Sequence, residues 1–317
     1  MSLLPYLDVG LALLIVGVAV SIIAAQDLFA SVVSYVAYGL LLAFVWIRLY
    51  APDVALTEAA VGGGVTGVLL ITAGKRLAGL KSAVPEAQPG LAFKLLIGGL
   101  AALVAGALGA VIMILPDPPP SLAPEAAAAA AGAGAGLGNP ITAVLISYRS
   151  FDTMLEKIVL ILAVLGVWSV GADKAWGDTP APFRRPKPYA PMVFLAQMLA
   201  PIGAIIGIHI FWVGADAPGG AFQAGALLAA MWMVTMMARL VEPPRVDARW
   251  LRLALIAGPA VFLVVGLAGE LVAGAFFAYP PGFAKPIIIV IEAFMLVSIT
   301  ASLPMLVAGP PSERTEQ

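Results

Sequence analysis

The chain has 317 residues, 62% hydrophobic and 11% charged, with a formal net charge of −1; soluble domains sit near ~45–50% apolar and ~25% charged, so a water-soluble enzyme is excluded for want of polar surface. The mean hydropathy of +1.02 points the same way, and the charge balance offers no basic face to nucleic acid. Cys is absent, His occurs once, at His209, and no HExxH, GxSxG or Walker A string is present, so no metal or cofactor is expected in this chain and any redox or hydrolytic centre belongs to another.

Apolar runs fall near 9–25, 28–50, 52–73, 91–115, 153–170, 191–213, 219–240, 251–277 and 285–309. A bilayer crossing takes about 20 apolar residues, so they predict an all-α, polytopic integral membrane protein of about nine transmembrane helices. The first run starts close to Met1 without a basic region before it, and reads as a first span rather than a cleaved signal peptide. Basic residues then alternate between the two sides. Lys75, Arg76, Lys81 and Lys94 flank the third connection; Lys174, Arg184, Arg185 and Lys187 fill the fifth; Arg239, Arg245, Arg249 and Arg252 fill the seventh; Arg314 lies in the tail. Only Arg48, Arg149 and Lys285 fall opposite, with Lys157 inside a span. The positive-inside rule predicts the N-terminus out and the C-terminus in. Residues 116–138 (PDPPPSLAPEAAAAAAGAGAGLG) read as a low-complexity insert whose alanine run, Ala126 to Ala131, has little to pack on. Residues 171–190 read as a Pro-rich basic connector. Blocks of three, two and four helices result.

Ionisable groups inside a span are costly and usually line a pathway. In chain order, the second helix offers Ser31, Tyr35 and Tyr38 at i, i+4 and i+7, a hydroxyl stripe that holds either waters or a neighbouring helix. APDVALTEAAVGGGVTG follows, with Asp53, Thr57 and Glu58, and with Gly62, Val65 and Thr66 on the Glu58 face. Gly62, Gly63 and Gly64 weaken the helix, and predict a π-bulge or hinge where water or another helix approaches. Glu58 is the expected carrier of a proton or cation, against the alternative of a carboxyl paired for packing. Arg149, Asp152 and Glu156 are spaced for one helix face, with Arg149 expected to neutralise Asp152. Lys157 is about 100° round from Glu156 and need not pair with it. These four are either a proton route or an ion-pair network at the membrane edge. His209, late in its span, is a hydrogen-bonded packing residue or a site. GADAPGGAFQAG places Pro218, Gly219 and Gly220 at a helix start, a capped entry whose backbone can line a cavity. Glu270 and Glu292 are in-span carboxyls, with Lys285 two turns before Glu292 on its face.

These strings resemble a known family. APDVALTEAAVGGGVTGVLL is similar to the D-type membrane protein of membrane-bound hydrogenase and to the C-terminal region of the large A-type protein of Mrp cation/proton antiporters. NPITAVLISYRSFDTMLEKIVLILAVLGV resembles the E-type segment that follows, with a family pattern near NPVTAVLLDFRGFDTLGEIxVL. GADAPGGAFQAGALLAA and PIIIVIEAFMLV resemble the B-type protein of Mrp antiporters, the MnhB type, whose usual turn is HGHxxPGGGFQGG. Asp53, Thr57 and Glu58 match the first motif. Asn139, Pro140, Arg149, Asp152, Thr153 and Glu156 match the second. Pro218, Gly219, Gly220, Phe222, Gln223 and Gly225 match the third, with Glu292 in the last helix. Val213 and Ala215 stand where the B-type turn has histidines, and Ala221 replaces its third glycine. Gly62 stands where the A-type antiporter protein has its acid, as in the hydrogenase-type arrangement.

The resemblance implies a D-type block over 1–85, an E-type block over 86–175 and an Mrp B-like block over 176–317. It implies a non-catalytic subunit of a multi-subunit Na+(cation)/H+ antiporter in the plasma (inner) membrane of a prokaryote. Its partners would be large antiporter-like subunits, small subunits and the lipid bilayer, with no nucleic acid. The alternative is the same ion-translocating module in a redox-driven, complex I-related machine. A stand-alone transporter would call for inverted repeats, and none is evident.

Overall fold

The structure is a computed structural model and describes residues 4–25, 27–80, 90–116, 136–180 and 190–311. Lys81, Arg184, Arg185, Lys187 and Arg314 lie outside the described residues, as do the Ala126 to Ala131 run and 117–135 of the insert.

Each of the nine apolar runs is helical. The helices are α1 (Leu4–Ala24), α2 (Leu28–Arg48), α3 (Pro52–Glu58), α4 (Thr66–Leu80), α5 (Leu91–Ile114), the single turn α6 (Pro140–Ala143), α7 (Ser150–Ser169), α8 (Ala190–Val213), α9 (Ala221–Met237), α10 (Arg249–Ala273) and α11 (Ala284–Ala308). Two π segments interrupt them: π1 (Ala59–Val65) joins α3 to α4, and π2 (Val144–Tyr148) joins α6 to α7. Among the described residues seven helical stretches are long and apolar enough to cross a membrane, rather than nine. The two others are α7, whose 20 residues include Asp152, Glu156 and Lys157, and α9, which has 17 residues. At 1.5 Å per residue α9 still reaches about 26 Å, close to the ~30 Å hydrocarbon thickness.

The π segment expected at the triple glycine is present, with the Thr66 N–H bonded to the Val61 carbonyl five residues back. The second was not expected; there the Arg149 N–H reaches the Val144 carbonyl at 2.8 Å. Asn139 caps α6, its Oδ1 accepting from the Ile141 N–H at 2.9 Å, with Pro140 in the first turn.

The contacts divide the chain into two compact units, one of 1–71 with 130–317 and one of 72–129. The second unit contains the end of α4 and α5, which is apolar and exposed on all sides among the described residues. In the first unit α11 is central, packing on α9, α10 and α7, while α8 backs α9 and α2 lies on α1, α3 and π1. Lipid gives apolar side chains little reason to prefer each other, so close helix crossings rest on small residues and local hydrogen bonds. Gly225 of α9 faces Ile299, and Gly258 of α10 meets the α11 backbone at Met295. Ser298 donates to the Leu255 carbonyl at 2.6 Å. A close backbone crossing lies between α2 and π1, where a Cβ on Gly39 would come within 2.9 Å of the Gly62 carbonyl carbon and the Gly63 nitrogen. Gly39→Val is therefore expected to force these helices apart at a cost of about 1–3 kcal/mol, read as a lower thermal midpoint than that of the parent chain in the same detergent.

Candidate functional site

The first motif and the third meet at Asp53. Its buried Oδ1 accepts from the Gly219 N–H at 2.9 Å and from Asn139 Nδ2 at 3.3 Å. Asn139 Nδ2 also points to the Gly214 and Ala217 carbonyls at 3.1 and 3.0 Å, and Thr142 Oγ1 donates to the Gly214 carbonyl at 2.7 Å. The backbone joins in: the N–H groups of Gly138 and Asn139 both reach the Ala215 carbonyl. Asp53 from the first sequence block, with Gly138, Asn139 and Thr142 from the second, thus holds the turn at 214–220 in place. Gly219 has φ 153° and Gly220 φ 123°, and a side chain on Gly219 would overlap the Ile210 carbonyl oxygen, so glycine is required there. The turn is clamped from outside by Lys285, whose Nζ lies 2.7 Å from Asp216 Oδ2.

Below this turn lies a cavity of about 200 Å³. Thr57 lines it from α3, Glu156 and Lys157 from α7, Gly219 and Gly220 from the turn, Phe222 and Gln223 from α9, and Glu292 from α11. At ~30 Å³ per molecule it has room for several waters. Lys157 has a side chain only 4% exposed; its Nζ sits 2.9 Å from Glu156 Oε1 and 4.6 Å from the centroid of the Phe222 ring. Glu156 itself is 56% exposed and forms the mouth. Glu292, 4% exposed, accepts from the Ala221 backbone N–H at the start of α9, where the helix dipole favours a carboxylate. Gln223 Nε2 donates to the Asp53 carbonyl at 3.3 Å and to Thr57 Oγ1 at 3.2 Å, and Thr57 donates in turn to the Asp53 carbonyl.

The cavity gathers Thr57, Glu156, Lys157 and Glu292 from the residues singled out in the sequence, and leaves others elsewhere. Glu58 is half-buried, with its carboxylate folded against Gly62 of its own helix, and does not line the cavity. Lys157 pairs with Glu156 despite their angular separation, because its four-carbon stem bends back to the mouth. Arg149 meets Asp152 as expected, at 2.7 Å, on the exposed side of α7. Lys285 turns to Asp216 rather than toward Glu292. His209 and Glu270 are exposed on the outer faces of α8 and α10. In the hydroxyl stripe, Ser31 donates to the Ile22 carbonyl of α1 at 3.3 Å, Tyr35 is exposed and Tyr38 half-buried, all outside the cavity. Sequence reasoning missed the Asp53–Asn139–Gly219 contact and the Phe222 ring over Lys157. The Asn-Pro pair was the available signal for the first, since it marks an N-cap whose amide donors remain free.

Two stretches of the chain match known family models. Residues 13–79 match the MbhD family model, which describes the D-type component of MBH, and residues 191–309 match the domain related to the MnhB subunit of Na+/H+ antiporter. The two matches fall in that order along the chain. It is 29% identical over 151 residues to an uncharacterized protein of Methanocaldococcus jannaschii, covering 43% of this chain and 58% of that protein. It is 25% identical over 290 residues to the A/B component of a probable K(+)/H(+) antiporter of Rhizobium meliloti, covering 79% of this chain and 27% of that one. The chain therefore spans between a quarter and three fifths of the length of these curated relatives. Its fold is shared with a chain of the Mrp complex from Dietzia sp. DQ12-45-1b, at TM-score 0.71 and 22% identity, over 97% of this chain and 35% of that chain.

The clamp on the turn has a calculable pH response. The hydrogen bond from Lys285 holds the Asp216 carboxyl below the ordinary aspartate value of 3.8. A lowered carboxyl stabilises the fold above that value and loses the contribution as pH falls through the lowered one. Amide protection factors across 214–220, taken relative to intrinsic exchange rates, are expected to fall only below pH 3.8, and Lys285→Met is expected to show the lowered protection already at neutral pH.

Proposed function

We propose that this chain is a membrane subunit of a multi-subunit cation/proton antiporter of the Mrp type, and that its cavity carries positive charge across, or part-way across, the membrane. The observation that carries this reading is the convergence of Glu156, Lys157 and Glu292, from two helices on separate sequence blocks, on one cavity with Thr57 and Gln223. A charge at the centre of a membrane helix costs about 2.5–3.5 kcal/mol on insertion scales, and such groups persist where they line a pathway. Glu156 at the mouth takes up a proton or meets a cation, Lys157 exchanges its partner, and Glu292 receives the charge at the closed end. The π1 segment next to Thr57 lets α3 rewind without a change in the number of residues.

In this reading Glu58, Asp53, Tyr35, Tyr38, His209 and Glu270 stand beside the route: Asp53 shapes the turn, and Glu58 loads the π segment rather than the cavity. The alternation of basic residues supports the N-terminus out and the C-terminus in, within the plasma membrane of a prokaryote. The partners are the antiporter-like subunits of the same complex. A second reading, the same module in a redox-driven membrane complex, is favoured by one observation, the match of residues 13–79 to the MbhD family.

In the assembled complex reconstituted into vesicles, Lys157→Met and Glu292→Gln are each expected to reduce cation-driven proton movement by about tenfold or more, which is at least ~1.4 kcal/mol of barrier. Glu270→Gln is expected to leave the rate unchanged. Wild-type rates in both cavity variants, with complexes intact by size-exclusion chromatography, would overturn the reading. Iron-bearing subunits in the native complex would favour the redox-driven version over the antiporter.

A further inference from the structure

One face of α9 is hollow. Gln223, Ala226, Ala230, Met233 and Met237 recur three or four residues apart, so they lie along one side of the helix. Opposite them, Ala59, Ala60 and Gly64 of π1 leave the facing wall equally bare. Between the walls runs an apolar cavity of about 460 Å³, floored by Val307 of α11, which packs on Met233 and Met236. Leu56, Val68 and Met237 at its rim are exposed, so the cavity opens on the outer, lipid-facing side of the helices.

The dimensions select the occupant. The cavity is bordered from Gln223 to Met237 on α9 and from Leu56 to Val68 on the other wall, which at ~1.5 Å per residue makes a slot about 20 Å long. Spread over that length, about 460 Å³ leaves a mean cross-section of about 23 Å². Carbon atoms touch at ~3.5–4.0 Å, so the slot is one hydrocarbon chain wide. Two chains side by side do not fit, nor does a helix, which is ~10 Å across with its side chains. Water finds few partners on this lining, whereas the thioethers of Met233 and Met237 adapt to the bends of a flexible chain.

The end of the slot at Met237 is basic. α9 stops there, and Arg239, two residues on, has φ 56°, a left-handed conformation uncommon outside glycine. That turn keeps an exposed arginine at the edge of the slot, and the connection to α10 adds Arg245 and Arg249. A guanidinium matches the geometry and charge of a phosphate, and basic residues at a membrane surface attract anionic lipid.

We propose that this slot holds one acyl chain of an anionic phospholipid, lying lengthwise beside π1 with its headgroup phosphate at Arg239. The proposal goes beyond the translocation reading and needs only that these helices cross a bilayer. The chain packs on Ala60 and Gly64, and so fills the space beside π1.

The test uses the assembled complex in vesicles of phosphatidylcholine and phosphatidylglycerol. A trace of one lipid or the other carries a photoreactive diazirine near the end of its acyl chain, and labelled peptides are mapped by mass spectrometry. Labelling is expected to concentrate on the slot faces of α9, α3 and π1 toward Gln223, and to be competed by unlabelled phosphatidylglycerol. The phosphatidylglycerol probe is expected to label about fivefold more strongly than the phosphatidylcholine probe, the preference one basic residue provides. Arg239→Asn removes the charge, keeps a residue that tolerates left-handed backbone, and is expected to erase this difference. Ala230→Phe is expected to fill the slot and cut labelling about tenfold, equivalent to about two buried methylenes. Ala230→Leu is expected to cut it less, and serves if Ala230→Phe does not assemble. Leu263→Phe, on the exposed side of α10, is expected to leave it unchanged. Labelling spread evenly over α8 and α10 as well, or unaltered in both Ala230 variants, would overturn the site. So would slot faces that stay unlabelled while the outer helices are labelled, the outcome if a partner subunit covers the slot. Equal labelling by the two probes would overturn the anionic headgroup.

Discussion

A carboxylate taken out of water has to find donors, and Asp53 finds them only on other parts of the chain. The Gly219 amide and the Asn139 side chain lie far from it in sequence, yet both reach the same oxygen. A hydrogen bond to a charged group is worth about 1.5–3 kcal/mol, and an orphaned buried partner costs as much again. The 214–220 turn is therefore as fixed as any helix around it. Everything at the polar cavity follows from that: Gly220 presents its bare Cα to Glu292 and Gln223, and α9 starts where its first amide meets the Glu292 carboxylate.

Irregular backbone at membrane depth survives only inside protein or beside a wet space, and this chain obeys the constraint at three places. The turn is buried under Asn139 and Asp53. The π1 segment is covered by Gly39 of α2, at a distance that admits no side chain. The π2 segment is held from the loop after α10, where the Tyr279 hydroxyl donates to the Ile146 carbonyl at 2.9 Å. Helices α1, α5 and α8 carry their apolar side chains outward with little burial.

The helices were legible because a run of about 20 apolar residues has few other fates. The glycine turn and the π segment at Gly62 to Gly64 were legible because removing side chains permits particular backbones. What the sequence withheld is the facing of each charged group. Glu58 and Glu292 look equivalent in a string, but the widened turn after Glu58 gives its carboxylate a place over Gly62, while α9 supplies Glu292 with an amide. His209 and Glu270 sit on helix faces that happen to point away from the packed centre around α11. Lys285 shares a helix face with Glu292, yet two turns of separation put it at the membrane edge, where Asp216 is nearer. Lys157 and Glu156 are adjacent in sequence and far apart in helical angle; only the reach of the lysine stem brings them together. Facing of this kind depends on which neighbour packs against which stripe, and one sequence does not encode that locally.

Gln223 shows why the polar groups are arranged as they are. It lines the polar cavity on one side and, on the other, an apolar cavity of about 460 Å³ between π1, α4 and α9, bordered by Leu56, Val65, Val68, Met233 and Met237. The lining of that second space is almost wholly apolar and offers water few partners. Gln223 thus stands between the two spaces, with its amide nitrogen held by Thr57 and the Asp53 carbonyl. Asp53 also borders a separate space of about 290 Å³, together with Asn139 and Asp216. The same carboxylate that anchors the turn therefore faces this separate space, while its backbone carbonyl holds Gln223 at the polar cavity.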